Sequence, residues 1–227
     1  MPSVIERALQ AALTDRFHFG QIVIQKTNGS FVLSHRDEVR TDVQMFRNAE
    51  EAVEIAKYDD AGNYRPLKTA PNLRRGWRLE LLTLDELRRA LDCFYPGRLA
   101  IFAAWKNGQL HTTPLRETLD RQSGMYRVAA KISDEQIDDV VGNFCRSDSG
   151  CLRTILWKRD QESTIASTKL PAGKFDPSHG QTTALNRPGS AIPATAIPLL
   201  CQEPCNLLVA ECRKVVKTGA AAPSVRE

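Results

Sequence analysis

Histidine is scarce in this sequence, and none of its occurrences shows the spacing of a metal-binding pair: His18, His35, His111 and His179. Glycine-rich phosphate loops are missing, since neither G-x-G-x-x-G nor G-x-x-x-x-G-K-[S/T] occurs. The G-x-S-x-G elbow of many hydrolases is absent too. These absences argue against a histidine-based metal site, a nucleotide-phosphate site and an α/β-hydrolase nucleophile.

Long apolar runs and charged arms are also lacking. No apolar stretch approaches the ~20 residues that cross a bilayer, so no membrane span is expected. The net charge of +4 is spread along the chain, without a basic arm interleaved with aromatics, and nucleic-acid binding is not expected. The N-terminal segment carries Glu6, Arg7 and Asp15 in an amphipathic pattern, unlike a secretory signal. We therefore expect a cytoplasmic protein.

Cysteine, by contrast, is plentiful, with six in the chain. Because cytosolic thiols are kept reduced, clustered cysteines there indicate metal more often than disulfides. Cys145 and Cys151 form a C-x5-C pair, and Cys201 and Cys205 form a C-x3-C pair. These four are the candidate metal ligands.

Local sequence signals place both pairs at helix ends. Ser133 and Gln136 form a capping box that opens a helix ending near Cys145. Pro204 favours a helix start, which predicts Cys201 just before a helix and Cys205 in its first turn. Free amides and the helix dipole at such a start favour thiolates and an anionic cluster.

The remaining cysteines are predicted to pack in the core. Cys212 follows Cys205 by seven residues on the same helix, which is ~10 Å along the axis. A compact metal cluster that holds its ligands close does not easily reach both. Cys93 stands alone on an amphipathic helix, and buried free cysteine commonly behaves as a small hydrophobe.

Spacing alone leaves three interpretations of the four cysteines open. An iron–sulfur cluster is one, and a structural zinc site is the second, because both use soft thiolates. Zinc pairs are typically separated by about two to four residues, which the C-x3-C pair satisfies and the C-x5-C pair does not. Unliganded or redox-active thiols are the third.

The pattern of the whole chain predicts an α+β protein of two units. In the first, a helix near Val4–Leu13 precedes a hairpin with an Asn28-Gly29 turn, then a helix and a returning strand; these predicted elements cover 49–58 and 77–82. Thr83 and Glu86 open a further helix, followed by a second at RLAIFAAWKNG. We place the domain boundary before these two helices, giving a small α+β unit, 1–82, and a mainly helical unit, 83–227.

The second unit is predicted to hold a long irregular segment. Residues 160–198 are rich in Thr, Ser, Gly, Pro and Ala, and structureless loops of this length are uncommon unless they are functional or pinned at both ends. Both ends carry a cysteine pair, so a metal centre would restrict the loop. The stretch CLRTILWKR, from Cys151 to Arg159, has apolar residues at helical spacing.

Four stretches carry a family resemblance: LDCFYPGRLAIFAAW, TPLRETLDRQSGMYRVAAKISDEQ, FCRSDSGCLRTILW and IPLLCQEPCNLLVAECR. From about Thr83 to Lys214 the chain resembles the iron–sulfur cluster-binding domain associated with CbiX-type sirohydrochlorin cobaltochelatases of the cobalamin and sirohaem pathways. The part from about Gln21 to Leu82 resembles the small stabilising domain that precedes it.

The resemblance implies a [4Fe–4S] cluster held by Cys145, Cys151, Cys201 and Cys205. It does not imply chelatase activity, because the chain lacks the metal-binding histidines and the separate domain that a CbiX chelatase needs. We therefore expect no catalysis by the chain itself. The expected role is a structural or redox accessory module whose partner is a CbiX-type chelatase or another tetrapyrrole enzyme. The alternatives are an electron-transfer protein or redox subunit, and a zinc-stapled interaction domain.

Overall fold

A computed structural model describes residues 3–59, 61–64, 73–145, 151–161 and 196–219. The chain divides into two compact units: unit 1 is Met1–Leu110 with Ala191–Leu200, and unit 2 is His111–Ser190 with Cys201–Glu227. Helices and a mixed sheet together give the α+β class that the sequence predicts. None of the described helices is both long and apolar enough to cross a bilayer.

Unit 1 is built on a six-stranded mixed sheet in the order β4-β5-β3-β2-β1-β7. The strands β1, β2, β3 and β5 pair antiparallel, whereas β4 on β5 and β7 on β1 pair parallel. The strands are β1 Arg16–Phe19, β2 Ile22–Lys26, β3 Phe31–His35, β4 Gln44–Phe46, β5 Trp77–Leu81 and β7 Ala196–Ile197.

Four α-helices accompany this sheet. Helix α1 packs on α3 and α4, and α2 packs on α3. A 3-10 turn, Ala49–Glu51, leads into α2. The helices are α1 Val4–Ala12, α2 Ala52–Lys57, α3 Leu84–Phe94 and α4 Arg98–Lys106.

The predicted hairpin is confirmed. Lys26 of β2 pairs with Phe31 of β3, and the Thr27 amide donates to the Ser30 carbonyl at 2.9 Å. Gly29 has a φ of 106°, which a residue with a side chain rarely adopts. The local turn chemistry therefore fixes the register of the central strands.

The predicted domain boundary at 82/83 differs from the observed division between Leu110 and His111. Helix α3 belongs to unit 1 because it packs on α2 and because Phe94 stacks on Trp77 of β5 at 5.2 Å between ring centroids. Tyr95, which follows it, accepts a hydrogen bond from the buried Gln21 amide at 3.0 Å. A capping box predicts where α3 begins, but it does not predict what α3 packs against.

Unit 2 is smaller in regular structure and mostly helical. A 3-10 helix, Gly124–Lys131, packs on α5 and α7, and α6 packs on α7. Its elements are α5 Leu115–Asp120, α6 Asp134–Phe144, β6 Thr154–Ile155 and α7 Asn206–Gly219. The division between the units falls within β8, Leu200–Cys201, whose Cys201 carbonyl accepts from the Leu156 amide at 3.0 Å.

The helical interpretation of Cys151–Arg159 is wrong. The segment is extended, with the buried Thr154 and Ile155 forming β6. Its backbone bonds to distant residues, since the Lys158 and Arg159 carbonyls accept from the amides of Leu115 and Arg116. The Leu156 amide, which a helix would direct to the Leu152 carbonyl, donates instead to the Cys201 carbonyl at 3.0 Å. Of the predicted irregular segment, 160–198, residues 162–195 lie outside the described residues, and Ala196–Ile197 forms β7.

Candidate metal centre

Cys145 ends helix α6, as the sequence predicts. Its amide donates to the Val141 carbonyl at 2.9 Å, which makes it the C-cap residue. The capping box at the other end of α6 is also confirmed, with Ser133 and Gln136 each bonding the other's backbone amide. The Cys145 side chain is buried in the core of unit 2.

Cys151 returns to the same helix end. Its amide donates to the Phe144 carbonyl at 3.3 Å, although Phe144 precedes it by seven residues. The two members of the C-x5-C pair are therefore held at one end of α6. Residues 146–150 lie outside the described part of the chain.

Cys201 lies in β8 with its side chain 9% exposed. Its Sγ accepts a hydrogen bond from the indole Nε1 of Trp157 at 3.4 Å and donates one to the Glu203 carbonyl at 3.2 Å. The sulfur is thus held from two sides by polar groups.

Cys205 occupies the start of α7. The helix begins at Asn206, one residue later than the predicted placement of Cys205 in its first turn requires. The Cys205 carbonyl accepts from the Val209 amide at 3.1 Å, which is the bond of an N-cap residue. Cys205 therefore lies at the positive end of the helix dipole, next to which negative charge is stabilised.

The electrostatics of Cys201 place three of the thiols near one another. Burial raises the pKa of Cys201 to about 11, and the Trp157 hydrogen bond and the Arg153 guanidinium lower it. Cys151 and Cys205 raise it further, which requires both sulfurs to lie within electrostatic range of Cys201. Arg153 is thus a cation near Cys201.

The core of unit 2 adds the fourth thiol. Cys145 and Cys201 are buried members of this core, and Cys205 packs against it. Cys151 is bonded to the helix end that Cys145 occupies. Within 3–59, 61–64, 73–145, 151–161 and 196–219, no group of three or more His, Cys, Asp and Glu side chains stands in position to hold a metal ion.

Of the two cysteines predicted to pack, Cys212 lies in a core and Cys93 is half-buried. Cys212 is fully buried on α7 in the core of unit 2, and burial raises its pKa to about 11. Cys93 is half-buried on α3 in unit 1, where burial also raises its pKa.

Sequence reasoning missed Trp157. When the segment Cys151–Arg159 is interpreted as a helix, Trp157 is only one more apolar residue in a periodic run. If the segment is taken as extended, Trp157 becomes a buried indole that needs a hydrogen-bond acceptor, and that requirement is the signal available in the sequence.

Each half of the chain matches a family description of its own. Residues 6–109 match the DR2241 stabilising domain, and residues 107–214 match a 4Fe-4S iron–sulfur cluster binding domain. Together the two matches cover residues 6–214. The two matches meet where unit 1 gives way to unit 2, and the match of the cluster-binding domain indicates iron–sulfur cluster binding.

A solved structure supports the same pairing. The chain is similar to DR2241 from Deinococcus radiodurans, with 26% sequence identity and a TM-score of 0.68 over 94% of this chain. DR2241 is described as a multi-domain protein with structural similarity to chelatases and two additional novel domains. The chain spans 41% of the length of DR2241. No curated protein matches the chain.

Proposed function

We propose that the cluster-binding domain holds one [4Fe–4S] cluster through Cys145, Cys151, Cys201 and Cys205. The observation that carries this proposal is that Cys145 and Cys201 share one buried core, against which Cys205 packs, while Cys151 is bonded to the helix end that Cys145 occupies. Four cysteine thiolates are the ligand set that such clusters use. The residues present therefore fit the group in their chemistry.

The chain's own residues would bind the cluster, shield it and offset its charge. The apolar core around Cys145 and Cys201 excludes water from two of the ligands. Arg153 and the dipole of α7 behind Cys205 offset the negative charge of a tetrathiolate cluster. Because thiolate ligands must be deprotonated, assembly of the cluster would release protons.

A bound cluster supplies a one-electron redox centre and a cross-link between sulfurs distant along the chain. We assign the domain the role of a structural or redox accessory module that serves tetrapyrrole metal chelation in the cytoplasm. The similarity of DR2241 to chelatases supports this link. A CbiX-type chelatase or another tetrapyrrole enzyme is then the partner.

A second candidate is an electron-transfer protein or redox subunit. The hydrogen bond from Trp157 to Cys201 favours it, because hydrogen bonds to cluster sulfurs tune the reduction potential. Reversible reduction by dithionite with the fold retained supports this candidate. A cluster that dithionite does not reduce, and whose loss unfolds the domain, supports the structural role.

The ligand assignment is tested by six single Cys→Ser variants purified without oxygen. We expect the wild-type protein to show the broad visible absorption and the reduced-state EPR signal of a [4Fe–4S] cluster. Cys145→Ser, Cys151→Ser, Cys201→Ser and Cys205→Ser lose most of their iron and sulfide. Cys93→Ser and Cys212→Ser are the controls and keep both. A colourless wild-type protein that carries zinc contradicts the proposal, and iron loss in Cys93→Ser contradicts the ligand set.

A further inference from the structure

We infer that Trp157 is the residue that sets the reduction potential of the proposed cluster, by donating its indole N–H to the ligating sulfur of Cys201. The inference rests on the proposed function. It assigns a positioning and tuning role to a side chain that is not itself a ligand.

The geometry of the contact is that of a buried hydrogen bond to sulfur. Nε1 of Trp157 lies 3.4 Å from Sγ of Cys201, and the Trp157 side chain is 1% exposed. A buried indole N–H has no water to bond and needs a protein acceptor. Here that acceptor is a sulfur atom rather than a carbonyl oxygen.

The backbone around Trp157 fixes the indole in this place. Leu156, the residue before it, donates its amide to the carbonyl of Cys201 itself at 3.0 Å. Lys158, the residue after it, accepts from the Leu115 amide at 2.9 Å. Cys201 is thus bonded to this segment through both its backbone and its sulfur, so the donor is preorganised before any cluster arrives.

Ligation would strengthen the hydrogen bond from Trp157 to the Cys201 sulfur and would remove the one from that sulfur to Glu203. As a thiol, Cys201 also donates to the Glu203 carbonyl, but a thiolate ligand has no proton to donate. The N–H bond to the more negative sulfur becomes charge-assisted. By drawing electron density from the sulfur, it stabilises the reduced cluster more than the oxidised one and raises the potential.

Unit 1 offers a matched control. Trp77 is fully buried, and its indole N–H donates to the Arg74 carbonyl at 2.7 Å. Trp77→Phe therefore removes a buried indole hydrogen bond of the same kind, but one that does not end on sulfur. Any effect of simply losing such a bond appears in both variants.

The experiment compares Trp157→Phe with Trp77→Phe and the wild type in the full chain, loaded anaerobically. An EPR-monitored redox titration should show a shift to a more negative midpoint potential in Trp157→Phe alone. Resonance Raman spectra of the oxidised cluster provide a second readout that needs no reduction. The Fe–S stretching bands should move to higher frequency in Trp157→Phe, and the small shift that deuterium exchange causes in the wild type should vanish.

The outcomes separate this inference from the proposed function. A Trp157→Phe protein that is loaded normally and matches the wild type in potential and Raman bands overturns the inference and leaves the cluster proposal standing. A wild-type protein without iron and sulfide overturns both. If Trp157→Phe does not fold, benzothienylalanine at position 157 keeps the ring shape without the N–H. The midpoint potential and Raman bands of that protein are then compared with those of the wild type.

Discussion

The two units of this chain differ in how they hold themselves together. Unit 1 is organised by a six-stranded sheet with strands of up to five residues and an unbroken ladder from β1 to β5. In unit 2, the strands β6 and β8 have two residues each, and Cys145, Cys201 and Cys212 occupy its core. Unit 1 contains one cysteine, Cys93, and unit 2 contains the other five.

This contrast indicates that different interactions stabilise the two units. Backbone ladders and ring stacking such as Trp77 on Phe94 give unit 1 a core that needs no metal. In the described part of unit 2, residues 111–145, 151–161 and 201–219, short strands join segments that are distant along the chain. Metal binding at such a place would become folding free energy. We therefore expect cluster loss and core mutations to act on different units.

Removing the cluster should give the largest effect, and it should affect unit 2 while leaving unit 1 intact. Anaerobic chelation of iron is expected to abolish hydrogen-exchange protection in α7 and leave protection in the β2–β3 hairpin near its starting value. The reason is that α7 begins beside the proposed ligand Cys205, whereas the hairpin is held by its own ladder. Peptide-level exchange by mass spectrometry measures both. An equal loss of exchange protection in α7 and in the hairpin would contradict the proposed difference between the units.

The reverse experiment damages unit 1 and spares the cluster. Leu33 is fully buried in β3, so Leu33→Ala should lower the free energy of unfolding of unit 1 by about 2–5 kcal/mol. The iron content of the remaining folded protein should stay at the wild-type level. Denaturant unfolding followed by fluorescence, together with iron analysis, tests this. Leu33→Met is the matched control, with a cost below about 1.5 kcal/mol.

A smaller effect is expected from the buried non-ligand thiol. Cys212→Ser places a hydroxyl in an apolar core where the cysteine is fully buried, at a cost of about 1–3 kcal/mol to unit 2. Cys212→Ala avoids the polar group and separates the cost of the hydroxyl from that of the lost sulfur. Chemical denaturation measures the change. Loss of visible absorption in both variants indicates a ligand and not a packing residue.

One capping box from each unit gives the smallest effects and a matched pair of tests. Thr83→Ala removes the cap of α3 in unit 1, and Ser133→Ala removes the cap of α6 in unit 2. Each should cost about 1 kcal/mol. Thermal unfolding should show that the cost of Ser133→Ala differs between loaded and metal-free protein, whereas the cost of Thr83→Ala does not. The same dependence for Thr83→Ala argues against separate units.

What the sequence predicts well is set by neighbours along the chain. The Asn28-Gly29 turn and the capping boxes at Thr83 and Ser133 are local rules, and all three are confirmed. The helix end at Cys145 follows from the same periodicity. These features depend on interactions within a few residues, so periodicity and turn chemistry are sufficient to find them.

What the sequence does not predict is set by distant partners. The extended path of Thr154–Ile155 depends on Cys201 and on the amides of Leu115 and Arg116. Strand β7 depends on β1, which precedes it by more than a hundred residues along the chain. The role of Trp157 depends on both effects, because its acceptor sulfur belongs to Cys201. Long-range pairing decided each of these.

The most direct test of the cluster is native mass spectrometry of the full chain purified without oxygen. The account predicts a mass increase of one [4Fe–4S] unit in the wild type, with no such species in Cys201→Ser and with the species retained in Cys93→Ser. A wild-type chain whose mass increases by one zinc ion, or does not increase at all, contradicts it.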